Sequence, residues 1–247
     1  MFKPLIVSVG MPRAGSGWYY NLTHDLIVAS GGQDAHQIRK RFFLKPILTE
    51  VNNNIGAFTV KRLLPVIIPA WLGNEYVIKA HAGPTPLVKL FIKQEKMKVT
   101  YIYRDPRDAL LSAFEYGRRK REWGRSGAFS DLKTIEDAIS FMAEYLLIAE
   151  SWLAFPEVLH TSYENLLLNY DNEAERLLAY LNLDLNNDKV VNVIKKYNPL
   201  RGSRNQTGTH FVKGKIGRYE EVFSNRQKQI CLDKFGLFLE RMGYLVP

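Results

Sequence analysis

The 247-residue sequence contains one cysteine, Cys231. A lone thiol excludes an internal disulfide framework and any cysteine-cluster metal site. It fits a reducing compartment. Long apolar runs are missing as well. The best candidate, 63–72, is interrupted by Pro65 and Pro69 and falls short of the ~20 apolar residues of a membrane span. The run Leu5–Val9 is too short for the apolar part of a signal peptide and leads directly into Gly10 and Arg13. Internal repeats and low-complexity tracts are also absent. Together these absences predict a soluble, cytoplasmic protein with no integral membrane segment.

What remains is an ordinary globular composition, 46% hydrophobic and 24% charged, which excludes a disordered chain. At this length folding buries about three quarters of the unfolded surface without a metal or disulfide staple. One domain over 1–247 is expected. Lys+Arg number 34 against 25 Asp+Glu, a formal charge of +9. That balance favours anionic partners: nucleotide phosphates, nucleic acid, acidic lipids, or sulfated and phosphorylated small molecules. A solvated surface with excess lysine carries the same charge.

Short apolar runs of β-formers alternate with helical patterns. Strands are predicted at Pro4–Val9, Tyr76–Lys79, Val99–Tyr103 and Val158–Thr161. Helices are predicted at Ser16–Ala29, Pro86–Gln94, Ile135–Phe155, Glu173–Leu181 and Asn225–Met242, the last packing on the sheet. Another begins at Pro106, with Asp105 as its N-cap. Strands separated by helices pair in parallel, so the predicted class is an α/β three-layer sandwich around a central parallel sheet. The basic stretch Gly117–Gly127 and the polar stretch Asn198–Gly217 read as loops, the first as a solvated surface loop.

Three constellations follow predicted strands. Gly10-Met-Pro-Arg-Ala-Gly-Ser-Gly-Trp18 joins the first strand to a helix N-terminus, where backbone N–H groups and the helix dipole favour an anion. Gly10 and Gly15 have P-loop spacing, but Ser16-Gly17 stands where a P-loop has Lys-Ser/Thr. This is a phosphate loop without the Mg-ATP lysine, or a plain strand-to-helix turn. Lys79-Ala-His81 ends the second strand; the histidine is a candidate base and the lysine a charge stabiliser. A histidine at a strand end is equally a structural hydrogen-bonding residue. Arg104 ends the third strand, and Ser112 lies two helical turns later on the face of Ala109 and Tyr116. An arginine and a hydroxyl at one corner suit a phosphate; the alternative is Arg104 paired with Asp108 and Ser112 packed mid-helix. In a parallel sheet all three fall on one edge, where ligands bind. Their convergence points to a ligand with two separated phosphate groups.

These residues resemble the sulfotransferases that use 3′-phosphoadenosine 5′-phosphosulfate (PAPS). Pro12-Arg-Ala-Gly-Ser-Gly-Trp18 resembles that family's 5′-phosphosulfate loop, and Tyr103-Arg-Asp-Pro-Arg-Asp-Ala-Leu-Leu-Ser112 its 3′-phosphate motif. Lys79-Ala-His81 is similar to its Lys-Thr-His, Ser162-Tyr-Glu-Asn165 to its Tyr-Glu-Asp, and Val212–Tyr219 to its late Gly-rich element. The resemblance spans nearly the whole chain in order and implies the P-loop-like sulfotransferase fold. It departs at Arg13 (lysine in the family), Gly17 (threonine), Val212 (arginine) and Arg218-Tyr219 (Asp-Trp).

The resemblance implies PAPS as donor and adenosine 3′,5′-bisphosphate (PAP) as product, with no metal. Arg13 would contact the transferred group, while Ala14, Gly15, Ser16 and Gly17 form the 5′-phosphate cradle. Trp18 would stack on adenine and Tyr163 line its pocket. Arg104, Ser112, Lys213 and Gly214 would hold the 3′-phosphate, with Arg201, Arg204 or Lys215 standing in for the arginine missing at Val212. His81 would be the base, assisted by Lys79 and Arg13. The acceptor would be a hydroxyl or amine of a small-molecule, lipid or carbohydrate partner, not nucleic acid. Two other readings stay open: a P-loop-like nucleoside or small-molecule kinase, and a nucleic-acid-binding module using Arg118–Arg125 with Trp123.

Overall fold

The computed structural model describes residues 2–199 and 215–245. Its strands are β1 (Leu5–Gly10), β2 (Val77–Ala80), β3 (Met97–Tyr103) and β4 (Leu159–Ser162). Its helices are α1 (Ser16–Ala29), α2 (Ala35–Arg41), α3 (Val60–Trp71), α4 (Pro86–Lys93), α5 (Pro106–Glu122), α6 (Ile135–Leu153), α7 (Tyr163–Leu168), α8 (Tyr170–Leu181), α9 (Asp188–Tyr197), α10 (Tyr219–Val222) and α11 (Asn225–Arg241). The sheet order is β2-β1-β3-β4, and every pair is parallel.

Alternation along β1 divides the interior. Leu5, Val7 and Val9 point into a core with Leu63 and Val66 of α3, Phe91 of α4, Leu110 of α5, Met142 of α6 and Phe235 of α11. Ile6 points the other way, joining Val77 and Ile102 with Trp18 and Leu22 of α1, Leu177 of α8 and Val190 of α9. Helices therefore cover both faces, giving the expected three layers. The four strands lie within two residues of their expected positions. From β1 the chain steps to β2 on one side, then crosses to β3 on the other. Ligand crevices open at such a reversal, beyond the carboxyl ends of β1 and β3.

Two expectations are corrected. The stretch Gly117–Gly127 is not a loop throughout, because α5 continues to Glu122. Arg, Lys and Glu are good helix formers, and Gly117 is used for close approach: a Cβ there would lie 1.9 Å from the Phe129 carbonyl oxygen. The run 63–72, set aside above only as a membrane span, is largely helical, since α3 persists through Pro65 and Pro69 by burying Leu63, Val66, Ile67 and Ala70. Finally, α11 packs chiefly on α6 rather than on the sheet. The short helices α2, α7, α9 and α10 were not predicted.

Candidate active site

Beyond β1 the chain turns sharply. Met11 donates its N–H to the Ile102 carbonyl, and Ala14 closes a turn onto Met11. Arg13 (φ 64°) and Gly15 (φ 78°) both adopt left-handed conformations. Glycine is required at position 15, where a Cβ would lie 2.8 Å from the Tyr163 ring. The following helix α1 has no side-chain N-cap. No described residue accepts the backbone N–H groups of Gly15, Ser16 or Gly17. This helix end therefore presents unpaired donors and the positive pole of its dipole at the crevice.

Arg13 reaches across to α5. Its Nε donates to Ser112 Oγ at 3.1 Å, and its guanidinium lies 4.8 Å from the centre of the Tyr116 ring. Burial lowers its pKa, with further lowering from the charges of Arg119 and Arg104. Ser112 uses an oxygen lone pair for Arg13, so its own proton is available to an acceptor in the crevice.

Arg104 leaves the end of β3. Its guanidinium donates to Asp108 Oδ2 at 3.2 Å, to the Lys215 carbonyl at 3.0 Å and to the Arg13 carbonyl at 3.5 Å. It also lies 4.3 Å from the centre of the Tyr163 ring. Among the described residues its buried Nε has no partner. The pairing of Arg104 with Asp108 is thus present together with the approach to the phosphate loop. Asp108 additionally accepts the N–H of Gly217 at 2.8 Å and of Tyr219 at 3.2 Å. One buried carboxylate thereby ties the late segment to α5. Arg218 adds a two-pronged pair with Glu115, at 2.6 and 3.1 Å.

On the other side of β1, His81 Nδ1 lies 2.6 Å from the Gly10 carbonyl oxygen. A carbonyl only accepts, so the proton sits on Nδ1 and Nε2 is left with a free lone pair. Burial and the Lys79 charge lower the His81 pKa to about 4, opposed by the Gly10 contact. Lys79 is 5% exposed, and among the described residues its ammonium has no hydrogen-bond or ion-pair partner. Burial and the Arg13 charge lower its pKa to about 8. An unpaired cation at the end of a largely buried side chain favours an anion beside it.

The residues singled out in sequence thus meet at one edge: Arg13, Ala14, Gly15, Ser16 and Gly17 after β1, Lys79 and His81 at β2, and Arg104 and Ser112 at β3. Tyr163 lines the same loop at 6% exposure. Trp18 is 2% exposed; Tyr170 stacks on its ring and Tyr163 meets it edge-on. Its indole N–H donates to the Tyr197 carbonyl. Lys213 and Gly214, with Val212, Arg201 and Arg204, lie outside the described residues. Sequence reasoning named Arg218 only as a departure from the family's pattern, gave Glu115 no role, and at the site treated Asp108 only as a partner for Arg104. For Asp108 the available signal was its four-residue spacing from Arg104, which precedes the helix, and from Ser112 within α5. No group of three or more metal-ligating side chains occurs among the described residues. No described helix is long and apolar enough to cross a membrane.

Comparison with known proteins gives concordant results. Residues 69–235 match the family model described as a sulfotransferase domain. Sulfotransferase 6B1 of Danio rerio is 20% identical over 237 residues, covering 91% of this chain and 74% of that protein. Among solved structures, mouse sulfotransferase SULT7A1 complexed with PAP superposes with a TM-score of 0.62 at 14% identity, covering 98% of this chain and 90% of the other. A retinol dehydratase in complex with androsterone and the inactive cofactor PAP gives 0.58 at 16% identity, covering 97% and 82%.

Proposed function

The chain belongs to the sulfotransferase domain family, and from that membership we propose that it transfers a sulfuryl group from PAPS to a hydroxyl or amine, with His81 as general base. The observation that carries this reading is the Arg13–Ser112 bond, which joins the anion loop after β1 to the arginine corner after β3, beside the unpaired Lys79. The residues suit a bisphosphate donor on three counts. Among the described residues the N–H groups of Gly15, Ser16 and Gly17 lack acceptors, the buried Nε of Arg104 has no partner, and the Lys79 ammonium lacks a counter-ion.

In this reading the N–H groups of Gly15, Ser16 and Gly17 hold the 5′-phosphate. Arg104 and Ser112, with Lys213 and Gly214, hold the 3′-phosphate, and Tyr163 flanks the nucleoside. When bound, the donor supplies the sulfuryl group and a bisphosphate leaving group. Arg13 and Lys79 oppose the negative charge that gathers there. His81 receives the acceptor proton at Nε2, while the Gly10 carbonyl fixes the ring through Nδ1–H. The low His81 pKa keeps the ring neutral, and so able to accept a proton, across the physiological range. Positioning and electrostatics carry the reaction, as in phosphoryl transfer.

The test is a thermal-shift comparison of PAP, Mg-ATP and an oligonucleotide, followed by turnover of His81→Ala. PAP should stabilise the protein, and His81→Ala should lose turnover by about 10²-fold or more while keeping its PAP affinity. Stabilisation by Mg-ATP alone would refute the donor assignment. Undiminished turnover of His81→Ala would remove the histidine from the proton step.

A further inference from the structure

The basic run Arg118–Arg125 has no part in the reading above, and the structure divides it. Arg118 pairs with Glu122 on the exposed surface. Arg121 faces the protein, donating to the carbonyls of Ser130 and Leu132. Arg125 lies over Trp123. Arg119 and Lys120 remain. Both are half-buried, and neither has an acidic partner among the described residues. The acids on the same turns are taken: Glu115 by Arg218 and Glu122 by Arg118.

Their position is informative. Ser112, Tyr116 and Lys120 are four residues apart and share one face of α5, with Arg119 beside Lys120. The Lys120 ammonium lies 5.6 Å from the centre of the Tyr116 ring, the ring on which the Arg13 guanidinium sits at 4.8 Å. After burial, the charge of Arg119 contributes to the lowered pKa of Arg13. Two cations therefore sit at one tyrosine, a third acts on Arg13 from the adjoining turn, and among the described residues no carboxylate balances Arg119 or Lys120. Lys120 is ~12 Å along the helix from Ser112, so it lies past Arg13 from the nucleotide corner. In-line transfer puts the acceptor on the side of the sulfuryl group away from the leaving phosphate.

We propose that Arg119 and Lys120, around Tyr116, form an anion-binding subsite for the acceptor, which then carries a carboxylate, phosphate or sulfate besides the group it offers for transfer. This inference rests on the sulfotransferase reading. It assigns the acceptor's charge, while its carbon skeleton is left to other contacts.

Calorimetry on the full chain saturated with PAP tests it without needing turnover. The probes are matched pairs differing in one charge: hydroxyphenylpropionate and its amide, hydroxycyclohexanecarboxylate and its amide, glucuronate and glucose. In at least one pair the acid should bind about tenfold tighter, the scale of a charge-assisted contact at a half-exposed site. Arg119→Ala combined with Lys120→Ala should bring that ratio close to one. Arg118→Ala, a surface charge control, should leave it unchanged. PAP affinity of the double variant reports that the nucleotide site is intact. The proposal is overturned if no acid outbinds its neutral twin, or if the preference survives the double substitution. Failure of the wild-type chain to bind PAP would instead remove the donor reading on which the subsite depends.

Discussion

Arg13→Lys puts the family's own residue into the loop, and it should damage the enzyme. The guanidinium performs two tasks that an ammonium cannot combine. Its Nε donates to Ser112 at 3.1 Å, and its plane rests on Tyr116 at 4.8 Å. In the proposed reading the outer nitrogens are thereby left for the transferred group. A lysine has a single nitrogen at its end and no planar fork. A hydrogen bond from a charged donor contributes about 1.5–3 kcal/mol, and a half-buried cation–π contact about 0.5–1 kcal/mol. Losing both from the transition state costs roughly 2–4 kcal/mol, or about 30- to 1,000-fold in kcat/KM. Ser112 also loses the donor that orients its hydroxyl, so PAP affinity should fall by a smaller factor, about tenfold. The assay is steady-state transfer from PAPS, with PAP affinity measured by calorimetry. A variant as active as the wild type, or more so, would refute the idea that Arg13 joins the two phosphate corners.

Two further outcomes are expected. For donor capture by the free enzyme, kcat/KM should rise with a limb near pH 4, where His81 loses its proton, and fall above about pH 8, where Lys79 loses its charge; Lys79→Arg should remove the alkaline limb, and a limb that stays in place would exclude Lys79. Asp108→Ala leaves Arg104 without its carboxylate and two backbone N–H groups without their acceptor, so chemical denaturation should show a loss of about 3 kcal/mol; a loss below about 1 kcal/mol would mean the carboxylate holds little together.

Much of the fold could be read directly, because parallel strands buried on both faces are written as short apolar runs. Leu5–Gly10 and Met97–Tyr103 are examples. The start of α5 was legible from Asp105 and Pro106, and the structure shows the Asp105 side chain accepting the Arg107 N–H. The end of α5 was not. Gly117 resembles a helix breaker until Phe129 is known to press against it, a contact that local sequence cannot show. The same holds for α3, where burial of one face overrides two prolines. At the site, residue types at strand ends predicted the convergence of Arg13, His81 and Arg104. The long-range partners stayed hidden: nothing near Glu115 in sequence announces Arg218, and nothing near Asp108 announces Gly217.

Those partners bear on the order in which the molecule forms and opens. Arg13 and Ser112 are 99 residues apart, Asp108 and Gly217 109, and Trp18 and Tyr197 179. Each such contact closes a long loop for a single hydrogen bond, whereas β1 and β3 register through six consecutive residue pairs and bury apolar side chains as they pair. The clasp at Asp108 is therefore expected to depend on the sheet being formed and to open more readily than the sheet. A chain that has lost the clasp at Asp108 keeps its sheet and both cores yet has no place for a nucleotide. Exchange of the Gly217 and Tyr219 amide protons should run well ahead of exchange in β1, and nucleotide binding should slow it selectively.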